Sequence, residues 1–247
     1  MIARLDIKGS NLIKGVHLEG LRVVGDPIEF AASYYHNGID EIIFMDSVAS
    51  LYGRNHLAEI IRLTANDVFV PITVGGGIRS TKDARDVLNS GADKIAINSA
   101  AVERPTLIKE IAEEFGTQAT VLSIEAKKNQ LNSWEVYTNS GREKSGLLVS
   151  EWIEEAIALG AGELLVTSVD KEGTRRGFDL ALMNLISKRV SIPVIASGGM
   201  GEISDVIKLV TETEISGVAI ASSLHYKRVS ISEIKSEVAS SGFKVRT

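Results

Sequence analysis

The chain contains no cysteine, which excludes both a disulfide framework and a thiolate centre. Histidine is nearly as scarce. His17, His36, His56 and His225 are scattered, without the H-x-x-x-H spacing of a zinc site, so no metal and no other cofactor is expected. Basic charge is not in excess either: 27 Lys and Arg face 32 Asp and Glu, the net charge is -5, and there is no basic tract. That excludes a nucleic-acid partner held through phosphate contacts. No apolar run is long enough to span a bilayer. The start, Met1-Ile2-Ala3-Arg4-Leu5-Asp6, lacks a signal-peptide layout. The expectation is a cytoplasmic protein without membrane contact.

What is present is a large apolar fraction and a repeated glycine element. Hydrophobic residues make up 44% of the 247 positions, enough for the core of one closed (β/α)8 barrel, whose usual length this is. Ile72-Thr73-Val74 runs into Gly75-Gly76-Gly77-Ile78, and Ser80 then opens a helical pattern. A loop without side chains between a buried strand and a helix lets backbone N–H groups approach a phosphate. The same sequence of events recurs at Val194-Ile195-Ala196-Ser197-Gly198-Gly199-Met200. The strands that follow end in Asn98-Ser99 and in Ala221-Ser222-Ser223. Residues 43–48 resemble 165–170, and residues 4–8 resemble 123–127. These offsets of roughly half the chain predict a barrel of two related half-barrels, about 1–119 and 120–247, in a single domain.

In chain order, strands are expected at 2–6, 41–46, 72–75, 94–98, 120–125, 163–168, 193–197 and 217–221, with helices between them. A long loop over 7–25 reads as a lid. Asp26-Pro27 starts the first helix, and the second starts near Asn55. An insertion over 127–145, with Trp134-Glu135-Val136-Tyr137-Thr138 and then Asn139-Ser140-Gly141, reads as a hairpin decorating one end of the barrel.

The site of such a barrel forms at the C-terminal strand ends. Asp6 and Glu125 lie there on opposed strands, each interrupting an apolar run. A carboxylate inside a strand is costly unless paired or used. Two acids facing one another across a cavity suit proton transfer in both directions; the structural alternative is ion pairs to Lys8 and Lys127. Anion-binding candidates are Gly76, Gly77, Asn98 and Ser99 in one half, and Ser197, Gly198, Gly199, Ala221 and Ser222 in the other. Two such sites predict a small molecule with a phosphate at each end. Thr167, with Glu172 and Gly173 of the polar loop 170–177, and Lys14, a loop lysine placed over one phosphate or simply solvated, complete the substrate contacts. At the opposite end, Glu41, Lys94 and Glu163 begin alternate strands; they form either a charged ring marking a passage or docking surface, or a set of solvated strand-entry residues.

Leu5-Asp6-Ile7-Lys8, Lys14-Gly15, Gly25-Asp26-Pro27, Thr73 to Ile78, Gly91-Ala92-Asp93-Lys94, Ile97-Asn98, Thr167-Ser168, Asp170, Gly173-Thr174 and Ala196-Ser197-Gly198-Gly199 together carry a resemblance. Over essentially its whole length the chain resembles the cyclase subunit of imidazole glycerol phosphate synthase. The resemblance implies a lyase of histidine biosynthesis. Its glutaminase partner docks at the bottom of the barrel and sends ammonia through it to a bisphosphorylated formimino-aminoimidazole-carboxamide ribonucleotide. It further implies that Asp6 is the general acid and Lys14 a lysine near a phosphate. Glu41, Lys94 and Glu163 would be three of four gate residues, and Asp93 would face the glutaminase.

Three positions depart from that pattern. Glu125 stands where the family has an aspartate, the gate arginine would fall before Met1, and Arg4 replaces a small residue near the barrel interior. These departures resemble paralogues that deliver ammonia for amidine or amine formation on surface-polysaccharide or flagellar sugars. A barrel that only activates a glutaminase is the third reading. Under the first, Glu125→Asp is expected to keep or raise activity.

Overall fold

The computed structural model describes residues 1–47 and 57–246. The expected start of the second helix near Asn55, and Val48 of the repeated 43–48 stretch, lie outside these residues. Eight parallel strands close into a barrel: β1 (Ile2–Lys8), β4 (Glu41–Asp46), β5 (Ile72–Gly75), β6 (Lys94–Ile97), β7 (Thr120–Lys128), β10 (Glu163–Ser168), β11 (Val194–Ser197) and β12 (Gly217–Ile220). Each pairs with the next, β12 returns to β1, and β7 pairs with β10. This is the (β/α)8 barrel expected from the alternating pattern.

The intervening helices are α1 (Pro27–His36), α2 (Leu57–Thr64), α3 (Thr81–Asn89), the short α4 (Ser99–Glu103), α5 (Thr106–Phe115), α6 (Val149–Ala158), α7 (Leu180–Ser187), α8 (Ile203–Glu212), the short α9 (Ser222–His225) and α10 (Ile231–Ser240). Their starts follow from the sequence. The Asp26 carboxylate accepts from the N–H groups of Ile28 and Glu29 at 2.7 and 3.1 Å, with Pro27 in the first turn. Ser80 accepts from Asp83 N–H at 3.2 Å, and Asp179 from Leu182 N–H at 3.1 Å. Each helix then lays an apolar stripe on the strands, such as Trp152, Ile153 and Ala156 of α6.

Two antiparallel hairpins extend the sheet at the C-terminal end of the barrel. The segment expected to be a loop is the first of them: β2 (Asn11–Val16) pairs with β1 and with β3 (Glu19–Gly25). The reason is that β1 runs on to Lys8, two residues past the expected end, and offers a free edge to which Asn11, Leu12 and Ile13 attach. Leu12 and Ile13 are buried in consequence. The second hairpin, β8 (Trp134–Thr138) and β9 (Glu143–Leu148), is the predicted insertion, fixed to the extended end of β7.

Inside the barrel the side chains stack in layers, as strand alternation requires. At the lower end sit Glu41, Thr73, Lys94 and Glu163, joined by hydrogen bonds. Above them Ile2, Ile43, Ala96, Val121, Leu165, Ile195 and Ala219 form one apolar cluster separate from the main core. Above that cluster the interior turns polar again, with Arg4, Thr167 and Ser197, and the two acids Asp6 and Glu125 lie at the mouth.

Candidate active site

Asp6 is 4% exposed, and both of its oxygens are held by cations. Oδ1 accepts from Arg4 Nε at 2.9 Å and Oδ2 from Lys14 Nζ at 3.0 Å. Lys14 also bonds Glu172, and all four side chains are buried. Burial alone would favour the neutral acid. The charges of Arg4 and Lys14 outweigh it and hold Asp6 well below the usual carboxylate range. Asp6 is therefore a fixed negative charge.

Glu125 differs. Among the described residues only one of its oxygens, Oε2, is engaged, accepting from Gly141 N–H at 2.8 Å and from Asn98 Nδ2 at 3.2 Å. Burial raises its pKa from the ordinary 4.5 to about 7, against the opposing pull of Arg4 and the Gly141 N–H. Its carboxyl thus changes protonation state near neutral pH. Asp6 and Glu125 line one cavity of about 80 Å³ together with Arg4, Lys14, Gly76, Gly77, Asn98 and Ser99. The sequence-derived pair of opposed acids converges there, and their environments separate them into an ionised and a titrating partner.

A second, smaller cleft is lined by Glu172, Gly173, Ser197, Gly198, Gly199, Ala221 and Ser222. The two glycine turns share their conformation: φ is +98° and +74° at Gly76 and Gly77, and +93° and +113° at Gly198 and Gly199. Asn98 and Ala221, which precede α4 and α9, match as well, with φ, ψ of -132°, -86° and -122°, -87°. Hairpin β2–β3 lies over this end of the barrel, pinned by His17 N–H to Glu172 O at 2.9 Å and by the His17 ring to Val169 O at 2.8 Å.

Glycine is required at position 76 for two reasons, its positive φ and its closeness to the backbone of β4. A Cβ there would stand 2.4 Å from the Asp46 carbonyl oxygen. Gly76→Ala should lower stability by about 1–3 kcal/mol, read as a lower urea midpoint at unchanged slope.

Several candidate residues sit elsewhere than the sequence suggested. Lys14 is neither on a loop nor solvated; strand β2 buries it between Asp6 and Glu172. Lys8 is exposed and Lys127 lies 5.5 Å over the Tyr137 ring; among the described residues Asp6 pairs instead with Arg4 and Lys14. The Asn98 amide turns to Glu125 and to Tyr137 O rather than to the glycine turn. Ser99 accepts from Asn139 N–H at 3.0 Å. Thr167 and Ser197 accept from Arg4 Nη1 at 2.6 and 3.2 Å. At the lower end, Glu41, Lys94 and Glu163 are joined through Lys94, which donates to Glu41 at 3.1 Å and to Glu163 at 2.8 Å. Exposed Asp93 accepts from Ile72 N–H at 2.8 Å. Among the residues missed as site members are Arg4, Asp46, Ser140 and Gly141; the insertion is no decoration, since its turn lines the cavity and holds Glu125.

Comparison with known proteins agrees with this geometry. The model of the histidine biosynthesis protein family matches residues 1–230. The chain is 62% identical over 205 residues to imidazole glycerol phosphate synthase subunit HisF of Legionella pneumophila, covering 83% of this chain and 97% of that one. It is 44% identical over 246 residues to the protein of that name in Streptococcus sanguinis, covering 100% and 98%. To the Lactococcus lactis protein it is 46% identical over 239 residues, covering 96% and 92%. An eight-stranded parallel barrel with two acids at its mouth, matched over nearly its whole length, places this chain in the histidine biosynthesis protein family.

Proposed function

We propose that the chain is the cyclase subunit of imidazole glycerol phosphate synthase, an ammonia-dependent lyase of histidine biosynthesis working with a glutaminase. The observation that carries this is that Asp6, clamped by Arg4 and Lys14, and Glu125, held against ionisation by burial, line one cavity. When ammonia condenses with a carbonyl carbon and water leaves, the nitrogen gives up two protons and the oxygen gains two. A carboxyl with a pKa near the working pH carries out both transfers, and a fixed carboxylate opposite it stabilises the positive charge that develops on nitrogen. In this reading Glu125, rather than Asp6, is the proton donor. The two glycine turns hold the phosphates of a bisphosphorylated substrate, the first through Gly76 and Gly77 and the second through Gly198, Gly199 and Ser222. The lower ring of Glu41, Lys94 and Glu163, with Asp93 at its edge, faces the glutaminase, and ammonia travels along the barrel axis.

The direct test is turnover of the bisphosphorylated formimino-aminoimidazole-carboxamide ribonucleotide by the isolated chain with ammonium salt. Imidazole glycerol phosphate is the expected product, and no product at high ammonium overturns the reading. Buried Arg4 and the longer Glu125 favour one other substrate, a carbonyl-bearing sugar aminated by the same proton chemistry. Restoration of growth in a histidine auxotroph by this chain rejects it.

A further inference from the structure

The interior layer at the level of Arg4 is unusually empty of other side chains. The inward positions of the alternate strands at this height are Arg4 on β1, Gly75 on β5, Ser123 on β7 and Ser197 on β11. Three of the four are glycine or serine. Four medium-sized side chains normally fill such a layer; here one long side chain occupies the space left by the others. The Arg4 guanidinium reaches from β1 across small Ala219 of β12 to Ser197 on β11 and Thr167 on β10, bonding both hydroxyls and, through Nε, Asp6. It is 3% exposed. The cavity at the mouth is lined by Arg4 and Met45 and touches Ala96 of the apolar cluster. Immediately beneath lie Leu165 and Ile43, at 0% and 1% exposure, in the apolar cluster that fills the barrel down to Glu41, Lys94 and Glu163.

We propose that Arg4 is a bolt across the barrel that seals the axis from the active-site cavity. The guanidinium closes the passage by its bulk and is held in place by three strands. A small neutral molecule rising through the apolar layers meets it before it meets either acid, and so reaches Glu125 only when Arg4 leaves Thr167 and Ser197. The same residue clamps Asp6, so opening the axis and freeing the fixed carboxylate are one movement. The closure stands on packing alone, and its consequence for nitrogen delivery rests on the ammonia route proposed above.

The absence of cysteine allows a clean test. A thiol placed by Leu165→Cys lies just under the bolt, and one placed by Val166→Cys lies on the opposite face of the same strand, against the helices. Both are probed with methyl methanethiosulfonate. Removing the bolt by Arg4→Ala should speed labelling of the Leu165→Cys thiol by about tenfold or more, because reaction follows access, while the Val166→Cys thiol stays protected. Arg4→Met, which restores bulk without charge, should restore protection. Arg4→Ser, which leaves a hydroxyl for Asp6, gives the same readout as the alanine variant where that variant does not fold. Equal labelling of the Leu165→Cys thiol with and without Arg4, equal acceleration at both positions, or failure of Arg4→Met to protect would each overturn the proposal. Labelling needs no substrate: a chain inert with ammonium defeats the functional reading and leaves this result standing.

Discussion

Replacing Glu125 by glutamine is expected to lower ammonium-supported turnover by about 10²–10⁴-fold, the contribution typical of a positioned acid–base group. The exchange keeps the side chain's length and an oxygen for Gly141 N–H and removes only the titrating proton. The pH dependence follows from its raised pKa. Below about pH 7 Glu125 carries a proton and serves as a donor; above it the protonated fraction falls tenfold per pH unit. The wild-type kcat profile should therefore show a descending limb near pH 7 that is missing from the residual activity of Glu125→Gln. A limb unchanged in the variant would assign the proton to another group. The shorter Glu125→Asp should also lose activity, by about tenfold or more, against the expectation drawn from family resemblance. Withdrawing the carboxylate by about 1 Å pulls it from Gly141 and Asn98. The hairpin turn is built to meet the longer acid.

The barrel was legible in the sequence because its strands are buried on both faces. Ile72-Thr73-Val74 and Val194-Ile195-Ala196 have no polar alternation to hide them, and each ends at glycines that only a turn requires. The acids were legible for the same reason: a carboxylate in an apolar run stands out. What the acids touch was less visible. Arg4 and Asp6 are two residues apart and so share one face of β1, a signal the sequence did contain. The contact of Asp6 with Lys14 depends instead on β2 pairing back onto β1, with Asp6 opposite Ile13. The stretch over 11–25, with Lys14, Gly15 and Gly20 among its apolar residues, has too irregular an alternation to announce a hairpin. It becomes one because tertiary pairing satisfies its backbone. The Gly141 contact is likewise a product of hairpin geometry, since the turn returns to a strand residue 16 positions earlier.

The same chemical exchange at the two acids should move stability in opposite directions. Asp6→Asn removes the anion between Arg4 and Lys14 and leaves two buried cations with less compensating charge, from Glu172 and Glu125. Breaking a buried pair in this way costs about 3–5 kcal/mol, a fall in Tm on the order of 10 °C for a domain of this size. Because the folded-state pKa of Asp6 lies below its ordinary value, its contribution is complete above about pH 4 and is lost as the pH falls further. The deficit of Asp6→Asn should accordingly be constant from pH 8 to pH 5 and shrink in stronger acid. Glu125 has the opposite sign. Its folded-state pKa is raised from 4.5 to about 7, so the protonated form favours folding below pH 4.5 and that benefit disappears as the pH rises through 7. The ionised side chain then costs about 3 kcal/mol, a penalty that Glu125→Gln avoids. This variant should match the wild type near pH 4.5 and exceed it at pH 8 by up to about 3 kcal/mol, while losing turnover. Thermal unfolding of both variants at pH 5 and pH 8 checks the pair. If Glu125→Gln is no more stable than wild type at pH 8, Glu125 is not held against its ionisation and does not serve as the titrating acid of this site.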